Sequence, residues 1–191
     1  MNKLVALLLL AMNGCATAPV EPSPTFFASL SALCGKAYEG RIVSPIVPAD
    51  AAFADKRLVM HVRECSADTV RVPFHVGDDR SRTWVFTRTD AGIRLKHDHR
   101  QLDGSEDKVT QYGGDSISPP ADARQEFPAD AFTKELLVRE GNAAGAANVW
   151  AVEVHPGRSF AYELRRPGRL FRIDFDLRGP VPPPPAPWGA R

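Results

Sequence analysis

Two histidines stand one residue apart at His97 and His99, and Asp103, Glu106 and Asp107 follow them before the paired glycines Gly113 and Gly114. Imidazoles and carboxylates at this spacing serve three kinds of chemistry. His97 and His99, with Asp103 or Glu106 as an oxygen ligand, suit a divalent metal such as zinc, iron or manganese. Either histidine, oriented by Asp107 or Asp98, suits general acid/base work, although no Ser or Cys nucleophile motif accompanies it, so the reading leans away from an enzyme. The third reading is structural. "LDGSED" is then a polar turn whose carboxylates pair with Arg94, Lys96 and Arg100, and the histidines are hydrogen-bonded residues on the rim of a pocket.

The spacing of the histidines decides which face they occupy. In "GIRLKHDH", residues 92–99, Ile93, Leu95, His97 and His99 share one face of a strand and Arg94, Lys96, Asp98 and Arg100 the other. The imidazoles thus extend an apolar row that points inward. Upstream, "FHVGDDRSRTW" sets Arg80 and Arg82 around a turn before Trp84, where a guanidinium fork suits a carboxylate or phosphate. Arg80, Arg82, Trp84 and Tyr112 join His97 and His99 as candidate ligand-binding residues.

Elements to carry these residues follow from the pattern on either side. "TFFASLSALCGK" spaces Phe27, Leu30 and Cys34 as a short amphipathic helix that serves as a lid or plug, with Gly35 as its stop. Two-residue alternation then predicts nine strands: 37–43, 57–64, 69–76, 83–89, 92–99, 107–113, 148–154, 158–165 and 169–177. Links such as "GDDRS", "TDAG" and "HPG" are short enough to require antiparallel neighbours. Between the sixth and seventh strands, Pro119, Pro120 and Pro128 argue against a strand interior, and Asp130 is placed to cap a helix ending at Arg139. The alternative makes "RQEFP" and "TKELLVR" two further strands.

The predicted fold class is mainly β: an antiparallel up-and-down barrel with a short N-terminal helix, since closure removes exposed sheet edges. A β-sandwich is the competing fold. The order of helix, glycine and a strand opening "KAYEG" resembles the calycin group, that is, the lipocalins and the fatty-acid-binding and nitrobindin-type barrels, in architecture only. In a meander the turns "GDDRS" and "LDGSED" open at the same end. The histidine stretch also has a weak likeness to the first cupin motif, with Gly113 seven residues beyond Glu106, but no second motif supplies a fourth ligand. From "RVPFHVGDDRSRTW" to "YGG" the chain is similar to uncharacterised secreted and lipoprotein families of Gram-negative bacteria.

The first residues, "MNKLVALLLLAMNGC", join Lys3 to an apolar run too short to span a bilayer. They resemble a bacterial lipoprotein signal, which implies cleavage after residue 14 and lipidation of Cys15. Ala16 at the next position implies the outer membrane, on its periplasmic side; secretion or a free periplasmic protein is the alternative. Residues 15–25 read as a Pro-rich tether, 26–178 as one barrel domain and 179–191, "GPVPPPPAPWG" included, as a Pro-rich tail. About 150 residues suffice for a single core.

Loss of Lys3 with the signal leaves 23 basic against 23 acidic side chains, a balance that does not favour nucleic acid. Cys34 and Cys65 remain as an even pair in an oxidising compartment, which favours a disulfide. The resulting expectation is a lipid-anchored envelope protein that binds a small apolar or amphipathic molecule, with the membrane as partner through its lipid and no cofactor. A metal-binding protein or metal-dependent enzyme is the first rival, and a non-catalytic envelope scaffold the second.

Overall fold

Alternation of apolar and polar side chains organises the chain into one antiparallel sheet. The computed structural model describes residues 25–190; the expected signal, Cys15 and residues 16–24 lie outside the described residues. The strands are β1 (Ala37–Ile42), β2 (Leu58–His61), β3 (Glu64–Cys65), β4 (Thr69–Val76), β5 (Asp79–Thr89), β6 (Gly92–His99), β7 (Tyr112–Asp115), β8 (Arg124–Pro128), β9 (Val149–His155), β10 (Ser159–Arg166) and β11 (Arg169–Val181). Neighbours follow chain order, with the short β3 on β4, and the first and last long strands join from Ala37↔Val181 to Ile42↔Ile173. That pairing rolls the sheet up. It is an up-and-down barrel rather than a sandwich.

The seam between β7 and β8 lacks a ladder, and a few bonds draw it together. Ile117 N–H donates to the Glu126 carbonyl at 3.0 Å and Asp130 N–H to the Gly113 carbonyl at 3.0 Å. The backbones on either side of β7 approach so closely that side chains do not fit: at the seam a Cβ on Gly114 would lie 1.8 Å from the Pro128 carbonyl oxygen, and toward β6 one on Gly113 would lie 1.9 Å from that of Leu95. Gly114 is therefore a condition of closure, and Gly113 of the pairing with β6.

Three elements depart from the pattern. The strand expected over 107–113 begins only at Tyr112, because the polar residues before it satisfy one another locally: Asp103 accepts from Ser105 N–H at 2.9 Å and Asp107 from Val109 N–H at 2.9 Å. "RQEFP" is strand β8, whereas "TKELLVR" belongs to helix α2 (Ala131–Arg139), capped by Asp130, which accepts from Thr133 N–H at 2.8 Å. At the C-terminus the last strand runs on to Val181, and residues 182–190 then turn back over the barrel's outer wall, where Trp188 N–H donates to the Arg80 carbonyl at 3.1 Å.

Helix α1 (Phe26–Ser31) plugs the end at which β1 begins, burying Phe26, Phe27 and Leu30, with the Phe26 ring 6.0 Å from Phe86. The Cys34–Cys65 disulfide, with 6.3 Å between Cα atoms, ties the turn after this helix to β3. Closing a loop of 31 residues stabilises the fold by about 3–4 kcal/mol in the chain-entropy account. Above the plug the interior is packed with rings, among them Phe74 on Trp84 at 4.8 Å and Trp84 on Tyr162 at 4.4 Å, both nearly parallel. On the outer wall of β8 to β11, Arg124 binds Glu153 at 2.6 Å and Glu163 at 2.7 Å, and Arg172 binds Glu153 at 2.9 Å. These cross-strand pairs compensate the charge on that face.

Candidate functional site

The end opposite α1 carries the links 43–57, 77–78, 100–111, 129–148 and 167–168, so the "GDDRS" and "LDGSED" turns do lie together: Arg100 N–H donates to the Ser81 carbonyl at 2.9 Å. Here β6 brings its inward row to a close with His97 and His99. Both reach into a cavity of about 340 Å³.

His97 is held from two sides. Its Nδ1 lies 3.1 Å from the Tyr112 carbonyl oxygen, which can only accept, so Nδ1 carries the proton and Nε2 accepts from the Tyr162 hydroxyl at 2.8 Å. The Tyr112 ring stacks on His97 at 4.4 Å, and its hydroxyl lies 3.0 Å from His99 Nε2. Burial pushes the His97 imidazole down to about 3, and burial, followed by the nearby Arg82 charge, pushes His99 down to about 4. Both rings are uncharged at neutral pH. Burial likewise raises the phenols of Tyr112 and Tyr162 above their ordinary value, so they remain hydrogen-bond donors.

Of the residues singled out in the sequence, His97, His99, Arg82, Trp84 and Tyr112 line this cavity. Arg80 does not. It sits beside the tail, its Nη1 donating to the Ala186 carbonyl at 3.2 Å. Asp103 turns to Ser105, and Glu106 pairs with Arg100 at 3.2 Å, so neither joins the histidines. Among the described residues no three His, Cys, Asp or Glu side chains converge as metal ligands. Asp98 faces outward between Arg71 and Arg100, each at 2.7 Å, and Asp107 accepts from the Gln101 amide, so neither carboxylate orients an imidazole.

The cavity also contains residues that the strand pattern did not single out. Phe53 and Asn148 come from links, and Phe53 packs on Phe171 with ring centres 4.9 Å apart. Arg166 and Arg169 flank the turn from β10 to β11; Arg169 pairs at 3.0 Å with Asp50, which is fully buried, and Arg166 Nη1 donates to Asn148 Oδ1 at 3.0 Å. Arg166 was within reach of the same two-residue rule. It ends the inward row Phe160, Tyr162, Leu164, as His99 ends the row on β6.

The cavity is an aromatic, mostly apolar chamber with neutral donors and acceptors on its wall and guanidiniums at its rim, a lining of the kind small-molecule pockets have. No protein-family model, no curated protein and no solved structure significantly matches this chain.

Proposed function

We propose that this protein is a lipid-anchored binding protein of the cell envelope that holds a small, largely apolar molecule in the cavity above His97. The observation that carries the reading is that cavity. At about 340 Å³ it falls at the small end of the roughly 300–1,000 Å³ typical of ligand pockets. Its walls combine Trp84, Trp150 and Phe171 with the fixed hydrogen-bonding pairs His97–Tyr162 and His99–Tyr112. Rings give a ligand area and the polar pairs orient it.

Anchoring rests on the lipoprotein-like signal ending at Cys15, and the Cys34–Cys65 bridge is in keeping with an oxidising compartment such as the periplasm. Two acyl chains are enough to hold a domain at a membrane surface. Native mass spectrometry of the protein taken from its own envelope tests the binding function. A bound small molecule that is lost in Leu164→Trp, which fills the cavity, is the expected result; wild-type protein free of any bound molecule and indifferent to the filling substitution contradicts it. Cys15→Ser tests the anchor, and is expected to move the protein from the membrane to the soluble fraction.

A further inference from the structure

Three guanidiniums border the cavity, and their charges are not equally spent. Arg82 pairs with Asp79 and lies over the Phe53 ring at 5.4 Å, and Arg169 pairs with the buried Asp50. Arg166 pairs with no carboxylate among the described residues; its one side-chain partner is the neutral amide of Asn148. Its sequence neighbour Arg165 shows the contrast. On the outer wall Arg165 makes a two-point pair with Glu126, at 2.7 Å to each oxygen. The same strand end thus compensates its outward cation and leaves its inward one open, with most of the five guanidinium N–H donors unused.

One carboxylate, Asp107, also lines the cavity, and it is satisfied by the Gln101 amide and the Val109 N–H. Its charge opposes a second negative group on the ligand. The imidazoles carry no charge to attract or repel. Below the rim the wall is made of flat rings, and Trp84 already stacks on Tyr162.

We propose that the cavity takes a compact aromatic monocarboxylate, its carboxylate forked onto the Arg166 guanidinium and its ring seated among Trp84, Trp150 and Phe171. The assignment rests on the cavity being a binding site, and adds the charge, the ring and the anchor.

Naphthalene-2-carboxylate and naphthalene-2-carboxamide share shape and differ in charge, and calorimetric titration of both into the full chain separates the two levels of the claim. The wild-type protein is expected to bind the carboxylate at least about tenfold more tightly than the amide, the discrimination typical of a charge-assisted hydrogen bond. Arg166→Gln erases that preference, because the carboxylate loses far more affinity than the amide does. Arg166→Lys keeps the charge without the fork and retains part of the preference, which carries the test should the Gln variant fold poorly. Equal binding of both probes by the wild-type protein, or a preference that survives Arg166→Gln, overturns the anchor while the cavity stands. Binding of neither probe overturns the aromatic monocarboxylate, and whether the protein from its own envelope carries a bound molecule then decides the cavity reading separately.

Discussion

His97 on β6 and Tyr162 on β10 meet across the barrel interior, with 2.8 Å between the imidazole Nε2 and the phenol oxygen. The same imidazole donates from Nδ1 to the backbone of β7, so one buried side chain ties three strands together beside the unfinished seam. The site and the closure of the sheet share a part.

Tyr162→Phe removes the hydroxyl and leaves His97 Nε2 as a buried acceptor without a donor. The expected loss is about 1–3 kcal/mol of unfolding free energy, the range for stranding one partner of a buried hydrogen bond. Urea unfolding followed by tryptophan emission measures it, since Trp84 stacks on that ring. No loss would mean that the bond contributes nothing to the fold.

The buried imidazoles also set a pH dependence. His97, His99 and His75, pushed by burial to about 3, about 4 and about 4, stay uncharged in the folded protein but take up protons below about pH 6.5 once unfolded. The unfolded state therefore binds more protons, and stability falls as the pH drops from about 7 to about 5, by about 1–2 kcal/mol for each fully buried ring. Glu126 and Glu153, held at about 2 by Arg165 and Arg172 respectively, contribute stability that is lost only as the pH falls from about 4.5 toward 2. Denaturant titrations at about pH 7 and pH 5 isolate the histidines; a flat profile between them would show that the rings ionise freely in the folded state.

Gly114→Ala tests the seam. The new methyl would sit 1.8 Å from the Pro128 carbonyl oxygen, a distance that only separation of β7 from β8 can relieve. The expected outcome is a loss of more than about 3 kcal/mol or a failure to fold, because a backbone atom cannot turn aside as a side chain can. A variant with wild-type melting behaviour would show that the two strands do not meet.

Two-residue periodicity was legible wherever one face is buried and the other wet. It places His97 and His99 on the inward row, and with turn chemistry it brackets β4 and β6 at their observed limits. Strand β8 was harder to read because Pro128 argues against a strand interior, yet that proline occupies the last position of an edge strand, where a missing N–H costs no ladder bond. The residues 107–111 alternate well enough to suggest a strand, but their polar side chains cap their own backbone, and local bonds win over pairing. Arg169 and Asp50 could not be brought together from spacing, since they lie 119 positions apart and meet only after β1 and β11 join.

The tail supplies the last prediction, because it reaches the loop that borders the cavity. Gly189 packs against Gly104 so tightly that a Cβ on it would lie 3.0 Å from the Gly104 carbonyl oxygen and 3.2 Å from the Arg100 side chain. Gly104 belongs to the same link as Asp107 and Val109, which line the cavity. Fixing the tail therefore restrains the mouth. Trp188 N–H bonds to the Arg80 carbonyl, and the residue, whose indole nitrogen is buried, borders the same cleft as Arg71, Pro73 and Arg100. Trp188→Ala removes the ring but leaves the barrel's ladders intact, so amide exchange in residues 101–111 is expected to quicken by about tenfold while the strands β4 to β6 keep their protection, as local opening does not require global unfolding. Trp188→Phe, which keeps an aromatic ring at this position, is expected to exchange like the wild-type protein. Unchanged exchange in the loop of the alanine variant would show that the mouth holds its shape without the tail.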